Sequence, residues 1–127
     1  MDWKLEVVVI PVTDVDRAKQ FYSEQLGFNV DVDNRMGENF RNVQLTPPGS
    51  ACSVTIGTGL TPGLQLVVGD AEAARAVLVE RGVDVSQIQH IEDGIWKDGP
   101  GGPWNTFFFF KDPDGNNWAV QEKPGIS

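Results

Sequence analysis

His90 and Cys52 are the only histidine and cysteine among 127 residues. Together they cannot build a Cys/His zinc site. His90 can hydrogen-bond a ligand or act as a base, or it can simply be structural. No paired acid and base stands out beside it. Aromatic stacking is the better-supplied chemistry. Phe107 to Phe110 form an unbroken run of four, and Trp96 and Trp104 flank the segment "KDGPGGP". Rings of this kind bind flat apolar ligands, with amides such as Asn42, Gln44 and Gln121 meeting polar groups. The glycine- and proline-rich segment reads as a loop. It either closes two indoles over a ligand or lies anchored on the surface.

The elements that position these residues follow from periodicity. "LEVVVIPV" (5–12) reads as a strand, because β-branched residues favour the pleated conformation. "TDVDRAKQFYSEQLGF" reads as a helix capped by Thr13 or Asp14, with Ala18, Phe21, Tyr22 and Leu26 on its packing face and Gly27 as its stop. Three further strands follow around "NVDVD", "NFRNVQL" and "ACSVTIG". The order then repeats. "LQLVVGD" is a strand, "AEAARAVLVERG" a helix, and "VDVSQIQHI", "WNTFFFF" and "NWAVQE" are three strands. Asp14 aligns with Asp70, Val12 with Val68 and Ala18 with Ala74. Two βαβββ modules, about 1–60 and 61–127, are expected within a single domain.

Composition narrows the function classes. The net charge is −8, with acids in excess on both sides of residue 60, so no basic patch suits nucleic acid. No run approaches the roughly 18 apolar residues of a membrane span. No signal peptide is visible at "MDWKLEVVVI", and one cysteine suits a reducing compartment; both favour a cytoplasmic location.

The doubled βαβββ order, with "PVTDVDRAKQFY" opening one module and "FKDPDGNNWAVQE" closing the other, resembles the vicinal-oxygen-chelate superfamily. That group includes glyoxalase I, extradiol dioxygenases and bleomycin-resistance proteins. The resemblance implies an α+β fold in which a curled mixed sheet forms a cup, with helices outside and a ligand within. It also implies a homodimer. Many of its enzymes hold a divalent metal through the first and last strands of each module. The matching positions here are Val7, Ser53, Gly63 and Ala119, none of them a strong ligand. The resemblance thus implies no metal, no other cofactor and no catalytic residue.

Strand alternation then assigns faces. Val7, Phe40, Asn42, Gln44, Phe107, Phe109 and Gln121 fall on the cup side, and His90, Trp96 and Trp104 border it. Val43, Leu45, Phe108, Phe110, Trp118 and Val120 fall under the helices. Phe107 and Phe109 either line a ligand cavity, or fill a dimer interface or a collapsed cup. The resulting expectation is a metal-free protein that sequesters an aromatic or polycyclic antibiotic or natural product. The alternatives are a glyoxalase-like lyase, a dioxygenase, a metal-free enzyme, or a protein whose dimer is its function.

Overall fold

The structure, a computed structural model, describes residues 2–59 and 62–124. In chain order the elements are β1 (Lys4–Val9), α1 (Val15–Gln20) with a π-helical turn (Phe21–Gln25), β2 (Asn29–Met36), β3 (Phe40–Thr46) and β4 (Ser53–Thr58). These are followed by β5 (Gly63–Val68), α2 (Ala71–Glu80), β6 (Gln89–Glu92), β7 (Ile95–Asp98), β8 (Phe107–Lys111) and β9 (Asn117–Glu122). The fold is α+β. The described residues form two compact units, one of Glu6–Pro62 and one from Gly63 onward that also takes in the chain up to Leu5. Residues 2–5 therefore belong with the later unit, where Trp3 packs on the core.

In the first unit β1 runs parallel to β4, while β2 pairs β3 and β3 pairs β4 antiparallel. In the second, β5 runs parallel to β9, and β9–β8, β8–β6 and β6–β7 are antiparallel. This is the expected βαβββ order twice over, with one strand more than the sequence suggested. Residues 83–91 do not form one strand, since only the last three of them lie in one, β6. The chain then turns through Asp93 and Gly94, at φ of 53° and 80°, into β7. Positive φ at both central residues makes a tight hairpin turn whose twist matches the flanking strands, and Asp-Gly favours it.

Both helices begin at an aspartate, as the repeat suggested. The Asp14 carboxylate accepts from the Arg17 N–H at 3.1 Å and that of Asp70 from the Ala73 N–H at 3.0 Å. Each satisfies an N–H that the first turn leaves unpaired. In the first unit Val15, Val43, Leu45 and Ile56 form the helix-side core, joined by Ile10, Val12, Ala18 and Tyr22. In the second the core is Val68, Ala71, Ala74, Phe108 and Val120, with Phe110 against it. The face assignments for β3, β8 and β9 therefore hold on the helix side. Phe21 departs from expectation. The π-helical turn carries one extra residue per turn, which rotates Phe21 outward to 44% exposure while Tyr22 stays on the core and stacks on Phe28.

Candidate functional site

The alternation that buries Phe108 turns Phe107 and Phe109 to the sheet face away from α2. Cross-strand partners share a face, so the registers of the second unit define what surrounds them. Phe107 lies between Gln121 and Gln89, and Phe109 lies beside Ala119. Ala119 in turn is flanked by Gln65, and Gln121 by Val67. On the neighbouring hairpin Ile91 faces Trp96. One face of one unit thus gathers Gln65, Val67, Trp96, Phe107, Phe109, Ala119 and Gln121, with Gln89, Ile91 and Asp98 beside them.

Three of these rings interlock. Phe107 and Phe109 are parallel, 6° between planes and 6.2 Å between centroids. Trp96 stands edge-on to both, at 5.2 and 5.1 Å. Perpendicular contact of this kind brings the positive edge of one ring to the negative face of the other. Trp96 is therefore a fixed wall of the site, held on β7, rather than part of a loop that closes over it. The signal for this was the "DG" at 93–94, which turns the following "IWKD" into a strand.

Trp104 does lie on the connecting segment 99–106, but that segment is tied down. Gly101 N–H donates to Thr106 Oγ1 at 3.1 Å, and the Asn105 side chain makes two 2.9 Å hydrogen bonds with the backbone of Ile91. The Trp104 carbonyl accepts from Gln121 Nε2 at 2.8 Å. Its indole is 51% exposed, and its φ of 61° is unusual for a bulky residue.

His90 requires a correction. It pairs across the hairpin with Lys97, one residue out of step with the Ile91–Trp96 pair, so its side chain points to the opposite face from the aromatic cluster. There its Nδ1 donates to the Gly99 carbonyl at 2.9 Å, and Nε2 lies 3.4 Å from the Glu92 carboxylate. Hydrogen bonds from His90 and then Lys97 hold the Glu92 carboxyl below its usual range. His90 anchors the connecting segment and does not border the aromatic face.

In the first unit Val7, Phe40, Asn42 and Gln44 all lie on the face away from α1, as their alternation with Val43 and Leu45 requires. Phe40 and Val7 are buried. The Asn42 side-chain oxygen is buried with no hydrogen-bond partner among the described residues. Unmet acceptors of this kind are uncommon and cost stability. On the same face Ser53 lies 2.6 Å from Thr46 Oγ1, and Thr46 donates to the Asp31 carboxylate. Asp31 is the extra residue of a β-bulge between Val30 and Val32.

The four positions that the resemblance marks for metal ligands behave differently. Val7 sits directly beside Ser53. Ala119, however, sits beside Gln65 rather than Gly63. At Gly63 a Cβ would come within 2.3 Å of the Asn117 carbonyl oxygen, so the close approach of two strands leaves no room for any side chain. Of the four, Ser53 offers a hydroxyl and the other three offer no donor. Among the described residues no three His, Cys, Asp or Glu side chains cluster. Soft or hard, a divalent cation needs better donors than these. The residues present do not fit it.

The sequence profile of the Glyoxalase/Bleomycin resistance protein/Dioxygenase superfamily matches residues 4–120. The chain belongs to this superfamily. Uncharacterized protein YetH of Bacillus subtilis (strain 168) is 26% identical over 123 residues, which are 94% of this chain and 98% of that protein. Methylmalonyl-CoA epimerase from Mycobacterium tuberculosis shares the fold with a TM-score of 0.73 at 20% identity, over 95% of this chain and 88% of that one. A glyoxalase/bleomycin resistance protein from Streptomyces sp. CB03234 is 32% identical, over 94% of this chain and 100% of its own, with a TM-score of 0.39. No helix among the described residues is long and apolar enough to cross a membrane.

Proposed function

We propose that this superfamily member binds a flat aromatic small molecule without a metal, on the sheet face that carries Trp96, Phe107 and Phe109, and that its role is capture of an aromatic or polycyclic antibiotic or natural product. The observation that carries the reading is the interlocked three-ring cluster on the face away from α2. Half-buried rings already held in one geometry lose little conformational freedom when a ligand stacks on them. Their neighbours Gln65, Val67, Ala119 and Gln121 carry no charge, while Asp98, at the edge of the same face, accepts from Gln89 Nε2 at 3.2 Å. Capture also needs no acid, base or metal. The imidazole that could have served as a base stands on the other face, and the four metal positions lack donors.

Intrinsic tryptophan fluorescence tests the reading. Titration with a panel of anthraquinones and cationic glycopeptides should quench Trp96 with saturation for the planar aromatics only, and EDTA should leave the curves unchanged. Quenching by the glycopeptides alone, or a requirement for added metal, would overturn it.

A further inference from the structure

We infer that Gln65 is the polar anchor of the aromatic site and selects ligands whose flat ring carries an N–H and a C=O side by side, as in a lactam or imide. The inference rests on the aromatic-site reading and adds the chemical edge that the site recognises.

Orientation of the side chains carries it. A backbone carbonyl can only accept, so the Gln121 atom 2.8 Å from the Trp104 oxygen must be Nε2. That turns Gln121 Oε1 the other way, where it accepts from Gln65 Nε2 at 2.7 Å. The carbonyl of Trp104 thereby fixes both amides, although nitrogen and oxygen of such groups are otherwise easily interchanged. Among the described residues this is the hydrogen bond of the Gln65 side chain. One N–H and the Oε1 lone pairs are left to a ligand. An amide holding a donor and an acceptor together is complementary to another amide edge.

Position carries the rest. Ala119 separates Gln65 from Phe109 across three adjacent strands. Two strand spacings place them roughly 9–10 Å apart, over a floor that is only a methyl group. A ring stacked towards Phe109 directs its edge at Gln65. Both residues belong to the second unit, so the arrangement is complete within it.

The experiment compares 1,8-naphthalimide with N-methyl-1,8-naphthalimide, which have the same rings but differ in the N–H. Fluorescence titration of the wild-type chain should show the naphthalimide binding about tenfold tighter, the discrimination one added hydrogen bond gives. Gln65→Leu should bring the naphthalimide to the level of its N-methyl form and leave the latter within about twofold. Phe109→Ala should weaken both alike. Equal binding of the two probes by the wild type would overturn the role of Gln65 while the aromatic site stands. Undiminished discrimination in Q65L would do the same. Failure of both probes to bind the wild type would overturn the aromatic-site reading together with this inference. The wild-type comparison is decisive even if Q65L fails to fold.

Discussion

Arg41 grips Asp33 through two parallel hydrogen bonds, Nε to Oδ1 at 3.0 Å and Nη2 to Oδ2 at 2.9 Å. Its remaining amino group reaches Asp16 on α1 at 2.6 Å, and Lys19 adds a 2.7 Å bond to Asp33. One guanidinium, only 11% exposed in its side chain, thus ties β3 to β2 and to the first helix. Forked geometry and partial burial make such a pair stronger than an ordinary surface ion pair.

That network sets an acid limit. Hydrogen bonds from Arg41 and then Lys19 hold the Asp33 carboxyl well below the usual carboxylate range. A carboxyl lowered on folding contributes stability that is present above its unfolded pKa of about 3.9 and is lost as pH falls further. Asp33→Asn should cost about 2 kcal/mol at pH 7, since it leaves Arg41 partly unpaired. It should also flatten the fall in stability below about pH 4. Urea unfolding at pH 7 and pH 3 checks both. Parallel pH profiles for mutant and wild type would remove Asp33 from the account.

Neighbouring phenylalanines should respond in opposite ways. Phe108 is fully buried under α2, and Phe108→Ala should open a cavity costing about 3–5 kcal/mol. Phe109 is half-buried in the ring cluster, so Phe109→Ala should cost less stability and weaken aromatic ligands about tenfold. Thermal melts and fluorescence titrations separate the two effects. Equal destabilisation at both positions would mean that the second face is ordinary core.

Gly63→Ala should destabilise by about 2 kcal/mol or more, because the added methyl meets the Asn117 carbonyl oxygen at 2.3 Å and φ is 155°. Gly69→Ala is the control. Nothing lies within 4 Å of a Cβ there, and its effect should stay within about 0.5 kcal/mol. Denaturant midpoints of the two variants give the comparison.

We also propose a homodimer. Among the described residues strands β2 and β7 each have one pairing partner, and they expose Val30, Val32 and, at 60%, Ile95. Open edges with apolar side chains invite pairing with another chain. Light scattering at micromolar concentration should give twice 13.9 kDa, and Val32→Lys or Ile95→Lys should shift the population towards that single-chain mass. A single-chain mass for the wild type would rule the dimer out.

The sequence by itself determined the repeated βαβββ order, the aspartates that open both helices, and the side of the sheet on which Val43, Leu45, Phe108 and Val120 fall. These follow from local rules. An N-cap acts within three residues, and strand alternation has a period of two, so neither needs a partner to be known. The hairpin at Asp93-Gly94 was equally local and equally legible, but an indole beside "KDGPGGP" reads as loop when the two-residue turn before it is passed over. What only the tertiary structure decided were relations across strands. That Gln65 rather than Gly63 adjoins Ala119 depends on the parallel register of β5 and β9, which no residue spacing encodes. That His90 faces away from Phe107 depends on a one-residue phase in the β6–β7 pairing, because one step along a strand reverses a side chain. That Gln121 holds both Gln65 and the Trp104 carbonyl joins residues 65, 104 and 121, and only packed strands bring such distant positions within hydrogen-bond reach.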